Sequence, residues 1–282
     1  MRKAISIWSF PEGIGYEEAF KLAKEAGFEG VEVALAEEGE LSLQSTEAEV
    51  KALREKAERA GVEIHSVATG LFRSYPFTSE DPRKRERAME VAGKLLQVAN
   101  WLGVDAVLVV PGAVFVPWAE GSEVVPYDVA YRRAQEALRE LAPEAERLGV
   151  TICVENVWNF MLLSPLEMAR FVDEIGSERV QVYFDVGNVV AFGFPEHWIR
   201  ILGGRIKRVH FKDYRRVAGG LHGFVDLLEG DVNWPEVMKA FKEVGYDGWA
   251  TAEMIPPYAT APEQIILTTS RHMDAIFKMA DV

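Results

Sequence analysis

One unit recurs along this chain: an amphipathic helical stretch, a glycine, one to three residues, and then a short apolar run. It appears as GFEGVEV from Gly27, GVEIHSV from Gly61, GVDAVLV from Gly103, GVTICVE from Gly149 and GYDGWAT from Gly245. Glycine is the residue that closes a helix through a left-handed C-cap, so each copy marks a helix end followed at once by a strand. The strand candidates are Ala4 to Ser9, Gly30 to Leu35, Val62 to Ala68, Ala106 to Val110, Thr151 to Glu155, Val180 to Asp185, Arg208 to Phe211 and Trp249 to Glu253. Helical patterning lies between them over Tyr16 to Ala26, Thr46 to Ala60, Asp81 to Leu102, Tyr127 to Leu148, Pro165 to Ile175, Glu196 to Leu202 and Trp234 to Val244. A last helix is predicted over Ala261 to Met279. Such alternation predicts an α/β fold with a parallel sheet. A doubly wound open sheet competes, but no Gly-rich phosphate fingerprint follows the first strand. The whole of 1–282 is therefore expected to form a single (β/α)8 TIM-barrel domain.

Composition narrows the partners. The chain carries 44 acidic against 31 basic residues, a formal net charge of −13, which disfavours a phosphate-backbone partner. The run RKRER (Arg83 to Arg87) includes a Glu and reads as a solvated helix face. A single cysteine, Cys153, excludes an internal disulfide and sits mid-strand like a small core hydrophobe. No apolar run approaches the ~20 residues needed to span a bilayer, and the opening MRKAISIWSFPEG does not read as a signal peptide. A soluble cytoplasmic protein is expected, without membrane or nucleic-acid partners.

In a parallel α/β fold, chemistry gathers where the strands end. Four strands end in groups that bind metals: Glu155 in TICVEN, Asp185 in QVYFDVGN, His210 in RIKRVHFKD and Glu253 in WATAEM. Taken singly, each has an ordinary alternative: an acid paired with a base, a helix-start cap at Asp185, a satisfied core histidine at His210. Taken together, they put ligand-type side chains at one height on four strands. Three oxygen donors and one imidazole suit one divalent cation such as Mn²⁺, with Mg²⁺ or Co²⁺ possible. Two glutamates facing each other across it suggest one proton removed from carbon and another returned. Around them, Trp8, Trp118 and Trp158 are candidate walls against a sugar. His65 faces either pocket or core. Lys212, Arg215 and Arg216 either hold a phosphate or pair with Asp213 and Asp226, and His222 lies in a Gly-rich loop, GGLHGF. The longer loops Gly70 to Glu80 and Gly112 to Pro126 are candidate lids or pocket walls.

The segments VENVWNFM (Val154 to Met161), FDVGN (Phe184 to Asn188), VHFKD (Val209 to Asp213), LEGDVNW (Leu228 to Trp234) and GYDGWATAEM (Gly245 to Met254) carry a resemblance. The chain resembles the sugar-phosphate isomerase/epimerase superfamily of xylose isomerase-like TIM barrels. Within it, the likeness is to ketose 3-epimerases and L-ribulose/L-xylulose 5-phosphate 3-epimerases, and it spans nearly the whole chain. The resemblance implies Glu155, Asp185, His210 and Glu253 as metal ligands. It implies Glu155 and Glu253 as the acid/base pair that inverts C3 of a ketose or ketose phosphate through a cis-enediolate. It places Arg216 on a substrate oxygen and implies a homo-oligomer, a dimer or a tetramer. Asn188, Lys212, His65, Trp118 and Trp158 complete the candidate substrate contacts. Epimerases of the tagatose/allulose type carry a His where this chain, like the pentulose 5-phosphate branch, has Asn188, and a second Glu where this chain has Met161. An aldose–ketose isomerase, moving protons between C1 and C2, is the alternative on the same site. The superfamily's abasic-site endonucleases add His ligands near positions occupied here by Thr69 and Val110, which disfavours that chemistry.

Overall fold

The computed structural model describes residues 1–255 and 258–281. Its strands are, in chain order, β1 (Arg2–Ser6), β2 (Gly30–Leu35), β3 (Glu63–Thr69), β4 (Ala106–Val109), β5 (Thr151–Glu155), β6 (Val180–Asp185), β7 (Ile206–Phe211), β8 (Asp213–Tyr214), β9 (Phe224–Val225) and β10 (Trp249–Ala252). Eight of them pair in parallel and close in the order β1-β10-β7-β6-β5-β4-β3-β2, while β8 and β9 form a separate antiparallel hairpin. Around the barrel lie α1 (Tyr16–Ala26), α2 (Glu47–Ala60), α3 (Pro82–Leu102), α4 (Tyr127–Leu148), α5 (Pro165–Ile175), α6 (Pro195–Leu202), α7 (Trp234–Glu243) and α8 (Gln264–Lys278). Among the described residues no helix is long and apolar enough to cross a membrane.

The helices stop where the sequence says they must. Gly27, Gly61, Gly103, Gly149 and Gly176 all cap their helices in the left-handed conformation, and each next strand begins within a few residues. Helix α2 begins with a capping box: Thr46 accepts from the Glu49 amide while the Glu49 carboxylate accepts from that of Thr46. A cap of this kind contributes about 1 kcal/mol.

Alternation along the strands separates two cores. Val154, Val182, Phe184, Val209 and Phe211 face outward into the layer shared with the helices. There Phe211 meets Trp234 and Phe241, with centroids 4.8 and 6.3 Å away. Burying one such ring stabilises the fold by roughly 1.5–3 kcal/mol. The inward set is different in kind. Ala68, Ala106, Leu108, Cys153 and Tyr183 make a small apolar plug on one side of the barrel, and much of the rest of the interior is polar, with Glu32, His65, Ser66, Asp185, His210 and Thr251 all buried. The register skips one residue twice, at His65 between β2 and β3 and at Lys207 between β6 and β7. The second bulge sets Arg208 beside Tyr183 and His210 beside Asp185.

Several boundaries differ from the sequence reading. Residues Ile7–Ser9 leave β1 as a 3₁₀ turn, because the Ser6 hydroxyl accepts from the Trp8 amide and bends the chain. Strand β7 starts two residues earlier, at Ile206, and the last helix is shorter at both ends, Gln264–Lys278. The hairpin β8–β9 was not anticipated. The Asp213 carboxylate holds it, accepting from the amides of Tyr214, Leu228 and Val232 and from Trp234 Nε1 at 2.9–3.2 Å.

Candidate metal centre

The four strand-end ligands converge. Glu155, Asp185, His210 and Glu253 are all buried, and one ligand atom from each lies within 4.8 Å of the other three. His210 Nδ1 lies 3.1 Å from Glu155, 3.4 Å from Glu253 and 3.9 Å from Asp185. Its other nitrogen, Nε2, lies 2.9 Å from Glu32 Oε1. The imidazole is thus aimed by one nitrogen and presents the other to three carboxylates.

Asp185 is locked from both sides. Its amide donates to Asn156 Oδ1 at 2.8 Å, and its carbonyl accepts from Asn156 Nδ2 at 2.9 Å. Its Oδ1 accepts the Asn188 amide at 2.8 Å, and Asn188 Nδ2 closes the lattice on the Asn156 carbonyl. The remaining oxygen, Oδ2, accepts no hydrogen bond, and neither does Glu253 Oε2. The Lys212 ammonium forms ion pairs with both, at 3.1 Å from Asp185 and closer still to Glu253. Gly187 makes this approach possible, since a Cβ there would sit inside contact distance of Lys212 Cβ.

Four carboxylates, counting Glu32, therefore face two cationic side chains in a dry interior. Burial alone would strip the charge from His210, but Glu32 and Glu253 outweigh it and hold the imidazole well above its ordinary pKa. Lys212 is likewise pushed up, with the neighbouring carboxylates overcoming burial. Burial pushes Glu155 and Asp185 up. Glu32 is the exception: burial opposes its charge, yet His210 draws its pKa down to about 2. Two buried carboxylate oxygens without hydrogen-bond partners, beside an imidazole nitrogen and an acid excess, are the donor set a hard divalent cation completes.

The other candidates fall into three groups. Asn188 and Lys212 belong to the centre. Trp158 stands at its rim, donating Nε1 to the Asn188 carbonyl at 2.7 Å and packing against Tyr214, Phe224 and, more loosely, the half-exposed Trp118. Trp8 packs against the interior plug. Arg216 is turned away from the carboxylates. Its Nε and Nη2 donate to the carbonyls of Val190 and Gly193 at 2.7 and 3.0 Å, and its guanidinium lies over Phe194. Arg215 bonds the Glu229 carbonyl, and neither arginine pairs with Asp213 or Asp226. His222 is exposed on the hairpin loop. His65 is buried in the barrel interior, with Nε2 3.1 Å from Thr251 Oγ1 and its ring stacked on Trp249.

The two long loops are tied together: Thr78 Oγ1 both donates to and accepts from Ala113, and Ser79 donates to Glu123. Glu32 and Asn156 are the residues that sequence reasoning missed. Asn156 was legible only as the neighbour of Glu155. Glu32 had one signal, a carboxylate between two valines in a strand buried on both faces.

A family model described as a xylose isomerase-like TIM barrel matches residues 20–276. The chain is 27% identical over 266 residues to the L-ribulose-5-phosphate 3-epimerase UlaE of Escherichia coli strain K12, spanning 90% of this chain and 87% of the relative. Its fold is similar to a solved L-ribulose 3-epimerase, with a TM-score of 0.82 at 18% identity over 99% of this chain and 95% of the other. It is also similar to a D-psicose 3-epimerase crystallised in the presence of D-fructose, with a TM-score of 0.75 at 21% identity over 100% and 98%.

Proposed function

The chain belongs to the xylose isomerase-like TIM-barrel family, and from that premise we propose that it is a metal-dependent isomerase, a 3-epimerase of a ketose or ketose phosphate. What carries this reading is the convergence of Glu155, Asp185, His210 and Glu253 on one point at the strand ends. Those four side chains would hold the cation, most simply Mn²⁺. Bound there, it would polarise the substrate carbonyl and lower the cost of negative charge on the adjoining oxygens.

The protein's own groups do the rest. Glu155 or Glu253 takes the proton from C3, leaving a cis-enediolate, and the other glutamate delivers a proton to the opposite face. Burial supports this role, since it pushes the Glu155 carboxyl up toward neutrality, where a group can both accept and donate. Trp158 and its aromatic neighbours wall the mouth on one side, where they would limit water at the reacting carbon. Asn188, in place of the His of tagatose/allulose-type enzymes, favours a pentulose 5-phosphate, as does the name of the bacterial relative, while Met161 in place of their second Glu alters the contacts to the sugar's first carbons. We also infer a cytoplasmic setting and residues 1–282 as one domain from the sequence pattern, and the resemblance brings with it assembly as a homo-oligomer.

The test is turnover in D₂O with Mn²⁺ over a panel including L-ribulose 5-phosphate, L-xylulose 5-phosphate, L-ribulose and D-fructose. One deuterium should appear at C3 of the product. Label at C1 or C2 would make the enzyme an aldose–ketose isomerase, and no exchange with any of the panel would end the sugar reading.

A further inference from the structure

We propose that Glu32, on β2 and outside the ligand set, is the positioning residue that makes His210 a metal ligand. The inference rests on the metal-holding role given to the four-residue centre. Glu32 is completely buried, and the side chains its carboxylate meets, His210, Tyr183 and Ser66, are buried as well. Its Oε1 lies 2.9 Å from His210 Nε2, and its Oε2 accepts from Tyr183 OH at 2.6 Å and Ser66 Oγ at 2.8 Å. Tyr183 then flanks the imidazole itself, ring centroids 4.4 Å apart. Carboxylate, phenol and hydroxyl together fix the ring's tilt.

The fold goes out of its way to build this. The register between β2 and β3 skips His65, which brings Ser66 level with Glu32. A buried carboxylate without a charged partner is costly. Among the described residues His210 is the only cationic side chain within ion-pairing distance of Glu32. The consequence is directional. With the Nε2 proton held toward Glu32, Nδ1 is the nitrogen left facing Glu155, Asp185 and Glu253, and it is the one that would exchange its proton for a cation. A partner of this kind orients a ligating histidine and raises its basicity, and losing it typically weakens metal binding 10–100-fold.

The test compares metal-stripped wild type with Glu32→Gln by calorimetric titration of MnCl₂, with circular dichroism and melting of the metal-free proteins as the fold control. Glu32→Gln should bind Mn²⁺ about 10–100-fold more weakly while keeping its fold. Tyr183→Phe, which removes one of the hydroxyls holding Glu32, should weaken binding by a smaller factor. In the Mg²⁺-loaded wild type, ¹⁵N-histidine NMR should place the His210 proton on Nε2. A folded Glu32→Gln with Mn²⁺ affinity within twofold of wild type would overturn the proposal, as would a proton on Nδ1. Should Glu32→Gln fail to fold, an unchanged affinity in Tyr183→Phe overturns it instead. If wild type itself takes up no Mn²⁺, the metal-holding role falls first, and this inference goes with it.

Discussion

The two ends of the barrel are built on opposite principles. At the end where strands begin, helices stop on left-handed glycines and strands follow within a few residues. Charges there pair at the surface, as in Arg2 with Glu63 at 2.8 Å and Lys207 with Asp105 at 2.7 Å. At the end where strands finish, Phe160, Leu162, Leu228 and Ala261 all adopt positive φ without being glycine. Acidic groups are crowded together out of water. Strained backbone and uncompensated buried charge each cost folding free energy. A single strand such as β5 spans both regimes, from Thr151 at the regular end to Glu155 at the centre. The repetitive end and the outer apolar layer offset what the strained end loses.

If that division holds, variants should separate by end. The largest effect is expected from Glu253→Gln. It removes a proposed acid/base group and one member of a crowded acidic set, so turnover should fall about 10²–10⁴-fold while the metal-free melting temperature stays level or rises. Retained activity within tenfold of wild type would mean that this end is not where the chemistry occurs. Next comes removal of the metal by a chelator. Withdrawing a ligand held at 100 times its Kd should lower unfolding free energy by about 2.7 kcal/mol, read as a fall in melting temperature that added Mn²⁺ reverses. No shift would mean that the carboxylates at this end are neutralised from within, by Lys212 and His210.

The same division explains what could be read from the sequence. The regular end was legible because its signals are local: glycine after helix, then a buried run, repeated along the chain. The four candidate metal-holding residues were legible because each ends a strand and falls in a family motif. Glu32 has only an ambiguous local signature. In GVEVAL it alternates with valines as a solvent-facing residue would, and only closure of the sheet turns that face inward against residues far away in sequence. Arg216 stands differently. The resemblance places it on a substrate oxygen, whereas here its guanidinium donates to the carbonyls of Val190 and Gly193. The hairpin strands β8 and β9, two residues each, are too short for any periodicity to show.

A subtler contrast concerns two buried histidines. His210 is held charged by carboxylates, whereas His65, deeper in the barrel, is kept neutral by burial and the nearby Arg208 charge, with its pKa pushed down to about 3. The signs are opposite. For His65 the unfolded chain takes up a proton near pH 6.5 that the folded chain refuses, so stability is lost as pH falls from 6.5 toward 3, by about 1.4 kcal/mol per pH unit. His210 contributes in the other direction, fully on the acid side and less as pH rises through its elevated value. Comparing wild type with His65→Gln isolates the first effect. From pH 6.5 to 5 wild type should lose roughly 2 kcal/mol relative to the variant in urea unfolding. A constant difference would show His65 titrating as a solvated group.

The smallest effect should come from the regular end itself. Gly149 closes α4 at φ 71°, and a Cβ built there meets no heavy atom within 4 Å. Gly149→Ala therefore tests backbone conformation alone, with no clash to confuse it. The left-handed region should cost an alanine about 1 kcal/mol in urea unfolding. Because β5 carries Glu155 at its far end, any loosening transmitted along the strand would appear in kcat/KM. The two regimes are independent if kcat/KM stays within twofold of wild type, and a tenfold loss would mean that the glycine caps position the metal centre as well as stabilise the barrel.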